Sequence, residues 1–188
     1  MLRTAKYIRE NVLIADGVNT TLEYCKDATG VDLSVKNFYK LSMPGVVYKD
    51  KTVVSDYKLI DKIDVVDNKL ARPFRGWYLP VGTYICELNE GCKFGPNDVG
   101  YIVLRSSLNR NCVSLVSAVW DPNFTTEKDG VVNTMSVRIN VDTPMGIYIE
   151  ENARVGQLVV FDIEDGATQY VGQWQGGAIK SNLEESNK

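Results

Sequence analysis

Apolar and polar positions alternate in short runs along most of this chain, and helical periodicity is scarce. Runs rich in β-branched and aromatic residues cover Val31–Val35, Gly45–Tyr48, Thr52–Val54, Lys58–Val66, Thr83–Leu88, Gly100–Leu104, Val113–Val119, Met135–Val141, Gly146–Ile149 and Gln157–Ile163. Turn signals separate them: MPG, DNK, LPVG, NEG, GPND, DPN, KDG, TPMG and EDG. The stretch MSVRINV sets Met135, Val137 and Ile139 on one strand face and Ser136, Arg138 and Asn140 on the other. Two segments read as helix, residues 2–14 and, more weakly, Thr20–Lys26. The pattern predicts an all-β sandwich, jelly roll or barrel with one or two short helices near the N-terminus. No period of 20–50 residues repeats, and no linker interrupts the pattern. One domain over residues 1–177 is expected, followed by a polar tail, 178–188, that frays.

Composition narrows the chemistry. With 188 residues, 44% of them hydrophobic, the chain can bury a core without disulfides or metal. The net charge of −3, from 21 basic and 24 acidic residues, argues against a protein that coats nucleic acid. It leaves room for a local positive pocket. There is no histidine, which excludes Ser-His-Asp and Cys-His nucleophile pairs and the His-dependent zinc signatures. Acid–base work falls to carboxylates, Lys, Tyr, Cys or an oriented water. Cys25, Cys86, Cys92 and Cys112 include no CxxC pair, so no zinc site is expected. The opening residues MLRTAKYIRE lack the apolar core of a signal peptide, and no run approaches the ~20 apolar residues of a membrane helix. A cytoplasmic protein with reduced thiols and no membrane partner is expected.

Several segments bring together residues with chemistry. Arg105, Ser106 and Ser107 set a guanidinium beside two hydroxyls just after a strand, a donor set suited to phosphate oxygens. The same tripeptide also fits a polar strand end with a surface ion pair. Asp121-Pro122-Asn123 is turn chemistry and puts a carboxylate at a hairpin. Gln157 opens an apolar strand; its amide can orient a water and touch a phosphate oxygen. Gln173, Trp174, Gln175, Gly176 and Gly177 combine amides, an indole and glycines whose N–H groups can approach a phosphate.

In order and spacing, the segments around Asp32, Arg105, Asp121, Gln157 and Trp174 resemble the five motifs of the trimeric dUTPase and dCTP deaminase superfamily, over roughly residues 30–177. The stretch Leu79–Leu108 is similar to the lead-in to the second motif. The resemblance implies a jelly-roll-like fold, a homotrimer with shared sites, and a dUTP diphosphatase using Mg²⁺. It implies that Asp121 and Gln157 orient the attacking water, and that Arg105, Ser106 and Ser107 bind phosphates. Arg110 matches a second arginine of the deaminase-type RSSLxR pattern, for phosphate or for an interface. Ala118 and Val119 would read the base through backbone groups. Phe124 is equally a ring under the deoxyribose or a core residue. Asp32 would reach Mg²⁺ through water, and Gln173–Gly177 would close as a C-terminal lid, with a GQWQGG pattern nearer the deaminases and archaeal dUTPases. Two departures bear on function. Arg138 falls where the deaminases carry a proton-transferring Glu, and MSVRINV holds no carboxylate, which disfavours dCTP deamination. Thr125–Gly130 lengthens the third-motif hairpin. The alternatives are a dCTP deaminase, a related enzyme with altered base choice, or a silent nucleotide-binding relative.

Overall fold

The computed structural model describes residues 1–14, 29–50, 52–53, 55–67, 71–163, 168, 170–172 and 174–177. The helix candidate Thr20–Lys26, Cys25, Gln173 and the tail 178–188 lie outside them. The chain opens with α1 (Ala5–Asn11), capped by Thr4, whose hydroxyl accepts the Tyr7 N–H at 3.3 Å. Ala5, Ile8 and Val12 recur on one helical face and are fully buried.

Strands dominate the remainder: β1 (Gly30–Leu41), β2 (Val46–Val47), β3 (Thr52–Val53), β4 (Tyr57–Leu59), β5 (Ile63–Val65), β6 (Phe74–Leu79), β7 (Gly82–Leu88), β8 (Asp98–Leu104), β9 (Val113–Val116), β10 (Glu127–Lys128), β11 (Val131–Val132), β12 (Ser136–Val141), β13 (Ile147–Glu150) and β14 (Arg154–Asp162). A second short helix, α2 (Ser106–Asn109), joins β8 to β9. The expected all-β class holds. The second described helix, however, sits in mid-chain at the RSSL segment, where the strand run ends in polar residues.

The principal sheet runs β8-β14-β1-β7-β12-β9, with β4 added to the far half of β1. Its two ends return toward one another. Gly100 of β8 and Trp120, just past β9, exchange two backbone hydrogen bonds of 2.9 Å, and the Ile102 N–H donates to Ser117 Oγ at 3.3 Å. The sheet therefore curls into a nearly closed barrel, which protects its edges. The barrel is filled by Leu33, Phe38, Leu88, Met135, Ile139 and Leu158, all with no exposed surface. A smaller sheet, β13-β6-β5, supplies Trp77, whose ring meets Phe38 edge-on at 5.0 Å and whose indole N–H donates to Ile60 O at 3.1 Å.

The alternation in β12 holds: Met135, Val137 and Ile139 are buried, while Arg138 is exposed. Three features depart from the sequence pattern. The run Lys58–Val66 divides into β4 and β5, which pair with different sheets. The Val113–Val119 run stops at Val116. Strand β6 was hidden by Gly76 and by its bracketing prolines, Pro73 and Pro80. Gly76 is required there because a Cβ would meet Ile149 O at 2.1 Å. The lengthened segment becomes the β10–β11 hairpin, whose turn residues Asp129 and Gly130 have φ of 52° and 78°, as a two-residue type I′ turn demands.

Candidate functional site

The candidate residues fall into two groups. The first centres on Asp32 in β1, a carboxylate only 6% exposed. Burying a carboxylate requires compensating partners. Arg154 Nη1 lies 2.9 Å from Asp32 Oδ2, and Arg105 Nη1 pairs with the same oxygen. The Gln157 amide donates to Asp32 Oδ1 at 3.0 Å. Two guanidinium groups against one carboxylate leave an excess positive charge at a half-open position, with Arg105 and Arg154 side chains 23% and 37% exposed.

The local geometry comes from strand register. Asp32 lies opposite Gln157, so their side chains share a face. Ordinary alternation would send Arg154, three residues before Gln157, to the other face. A bulge prevents this. Leu33 pairs with Gly156 and Ser34 with Arg154, so Val155 is the extra residue of β14. Bulges re-aim side chains in this way. At the end of β8 the Arg105 N–H donates to Val155 O at 3.4 Å, tying the second motif to the bulge.

Ser106 and Ser107 follow Arg105 in α2, exposed, with their hydroxyls outside any intrachain hydrogen bond among the described residues. Arg110 caps α2 and is exposed. Asp32 Oδ1 accepts one protein hydrogen bond, and a carboxylate oxygen accepts two. Among the described residues no group of three or more His, Cys, Asp or Glu is placed to hold a metal. Asp32 Oδ1 thus keeps one accepting position, through which a water of a hydrated cation such as Mg²⁺ would be held.

The second group surrounds the β9–β10 connection. Asp121 is exposed and begins a turn in which the Phe124 N–H donates to Asp121 O at 3.1 Å. Ala118 and Val119 are exposed just before it. Phe124 is 6% exposed, edge-on to Trp120 at 5.1 Å and to Tyr170 at 5.6 Å. In the single chain it is a packing residue. The C-terminal segment docks on this connection and on the hairpin that follows. The Gly176 N–H donates to Thr125 O at 2.9 Å, Asn133 Nδ2 to Gly176 O at 2.9 Å, and Gln175 Nε2 to Asn123 O at 3.1 Å. Gly176 and Gly177 have φ of 97° and 64°, and a Cβ on Gly177 would meet Thr126 Cγ2 at 2.6 Å. Trp174 stays 41% exposed.

No hydrogen bond or ion pair joins the two groups among the described residues. Trp120 pairs with Gly100, five residues before Arg105 along β8. At about 3.4 Å per residue, the Asp121 turn leaves β8 roughly 17 Å from Arg105. One chain brings Asp32, Arg105, Arg154 and Gln157 into direct contact, whereas Asp121 makes no hydrogen bond or ion pair with that cluster among the described residues.

Two residues gained importance only in three dimensions. Arg154 lies three residues before Gln157, and nothing local in the sequence announces the bulge that turns it to the same face. Glu90 lay in the turn-like Asn-Glu-Gly, yet it is fully buried. Its carboxylate accepts the Ser34 N–H at 3.1 and 3.0 Å and the Ser34 hydroxyl at 2.7 Å. Burial pushes the Glu90 carboxyl above its ordinary pKa, a rise opposed by the Ser34 donors. Burial likewise pushes the Cys86 and Cys92 thiols up, so neither is a ready nucleophile. No helix among the described residues is long and apolar enough to cross a membrane.

Residues 3–163 match a family model described as dCTP deaminase-like. The chain is 29% identical over 177 residues to a probable deoxyuridine 5'-triphosphate nucleotidohydrolase of Archaeoglobus fulgidus, covering 94% of each protein. It is 31% identical over 151 residues to the Aeropyrum pernix protein of the same description, covering 80% of this chain and 84% of that one. Its fold resembles the 2'-deoxycytidine 5'-triphosphate deaminase of Agrobacterium tumefaciens, with TM-score 0.52, 13% identity and 85% of this chain covered. The chain spans about half of that structure, 48% of its length.

Proposed function

Because the chain belongs to the dCTP deaminase-like family, we propose that it is a dUTP diphosphatase, releasing dUMP and pyrophosphate. The observation that carries this reading is the Asp32 cluster. It presents two guanidinium groups with a net positive charge beside the exposed hydroxyls of Ser106 and Ser107. Such preorganised donors stabilise charge that develops on a phosphate chain. Arg105, Arg154, Ser106 and Ser107 hold the phosphates, with Arg110 at the margin. Asp32 is the residue that would hold Mg²⁺ through water, and the ion when bound would supply charge neutralisation on the phosphate chain.

In the reaction, a water oxygen bonds to the α-phosphorus and the bond from that phosphorus to the bridging oxygen breaks. The bridging oxygen keeps the electron pair and leaves with pyrophosphate. Gln157 orients the water, and Asp121 takes its proton. Asp121 makes no hydrogen bond or ion pair with the Asp32 cluster of its own chain among the described residues, which supports drawing it from a second copy. The shared-site homotrimer implied by the sequence resemblance supplies that copy. Ala118 and Val119 then face the base, Phe124 supports the sugar, and Gln173–Gly177 close over the nucleotide.

Deamination is the competing reaction. It is disfavoured because β12 offers Arg138, exposed and cationic, where that chemistry calls for a carboxylate. The test is product analysis with dUTP, dCTP and dTTP, each with Mg²⁺. The expected result is dUMP and pyrophosphate from dUTP, with no ammonia from dCTP. Ammonia from dCTP would replace this reading with the deaminase.

A further inference from the structure

We propose that Glu90 is a positioning residue that acts through Ser34 to hold Arg154 against Asp32; this rests on reading that pair as phosphate-binding machinery. Glu90 is a fully buried carboxylate and is in no salt bridge among the described residues. Such a group survives burial only when hydrogen-bond donors surround it. Its strongest donors are the backbone and hydroxyl of Ser34, assisted by the backbone N–H groups of Asn89 and of Glu90 itself.

Ser34 is the rung of β1 opposite Arg154, at the step where the β14 bulge falls. It lies two residues from Asp32 and so on the same strand face. On its other edge β7 ends at Leu88, and the Asn89 N–H reaches Ser34 O at 2.9 Å. Beyond that bond, the Glu90 carboxylate takes the place of the next ladder carbonyl. Ser34 is thus gripped on one edge by Glu90 and paired on the other with the bulge that presents Arg154.

A second tie reinforces the grip. Asn89 Nδ2 lies 2.9 Å from Ser34 Oγ and 3.1 Å from Asn152 Oδ1, in the turn that leads into Arg154. The rung opposite Arg154 and the turn that precedes it are therefore both fastened to the Asn89–Glu90 segment. A carboxylate suits the role because it only accepts, whereas an amide would point donors at donors.

The test is a double-mutant cycle of Glu90→Gln with Arg154→Ala. It reads affinity for inorganic pyrophosphate, melting temperature, and the ¹⁵N NMR signal of the Arg154 side chain in the ligand-free protein. Glu90→Gln is expected to weaken pyrophosphate binding about tenfold when Arg154 is present and less than twofold when it is absent, the non-additivity of coupled residues. It is also expected to release the Arg154 side-chain signal from its restrained state. The drop in melting temperature should be similar in both backgrounds. Equal weakening in both backgrounds overturns the proposal, as does a lowered melting temperature with unchanged affinity and unchanged Arg154 signal.

If Glu90→Gln does not fold, Ser34→Ala carries the same cycle, since it removes the hydroxyl bond and leaves the backbone one. The NMR arm needs no ligand. Released Arg154 in a protein that binds no pyrophosphate supports the positioning role and counts against the diphosphatase reading alone.

Discussion

The Asp32 cluster and the Asp121 connection are built from different materials. The first sits on long strands paired along most of their length, with its carboxylate buried and its partners on β14 fixed by register or bulge. The second is a turn, a two-residue-per-strand hairpin and a docked glycine segment, with Asp121 and Trp174 open to solvent. The strand-borne half holds its charges in place before any ligand arrives, so little reorganisation is left for the reacting state. The turn-borne half is less tightly held, which suits the roles proposed for Asp121 toward water and for the C-terminal segment over the nucleotide. No hydrogen bond or ion pair joins the two halves among the described residues, which is why the proposed site draws on a second copy.

Substitutions should break the two halves differently. Arg105→Ala removes a preorganised charge from the first half. It should cost the most, about 10²- to 10³-fold in kcat, with the phosphate affinity reduced as well. Steady-state kinetics with dUTP checks this. Asp121→Asn removes the proton acceptor that the proposed mechanism places in the second half. A loss of about 100-fold in kcat is expected, with unchanged KM and melting temperature. Near-normal turnover in a folded Asp121→Asn trimer would remove Asp121 from the mechanism. Deleting residues 173–188 should lower activity sharply while barely changing thermal stability, because the described part is held by a few hydrogen bonds at the edge of the hairpin and leaves Trp174 exposed. If truncation unfolds the protein instead, the segment is structural.

Arg138→Ala should have the smallest effect. Arg138 is exposed on β12, with Ile85 and Val116 as its cross-strand neighbours and no ion pair among the described residues. Sedimentation and KM separate its two possible roles. A weaker trimer with unchanged KM assigns it to a subunit contact, and a raised KM for dUTP assigns it to the nucleotide.

The same contrast explains what was legible in the sequence. Period-two patterning exposed β12 and β7, where each strand has one buried face. The order of short motifs pointed to Asp32, Arg105 and Gln157, which the fold brings together. Arg154 was not legible because its direction depends on Val155 being an unpaired residue, a property of pairing between strands 120 positions apart in sequence. Glu90 was hidden for a related reason. Asn-Glu-Gly reads locally as a solvated turn, and only the packing of β1 against the end of β7 encloses the carboxylate. Strand β6 was lost to its glycine, whose purpose is the close approach of β13.

The central claim is that the two halves act together from different chains, and subunit complementation tests it most directly. Arg105→Ala and Asp121→Asn chains, each nearly inactive alone, are co-expressed with different tags, and the doubly tagged oligomers are isolated. Shared sites predict that these mixed oligomers recover a substantial fraction of native dUTP hydrolysis, because some sites then combine an intact Arg105 with an intact Asp121. Mixed oligomers as inactive as either parent would contradict the account and place both halves of each site within one chain.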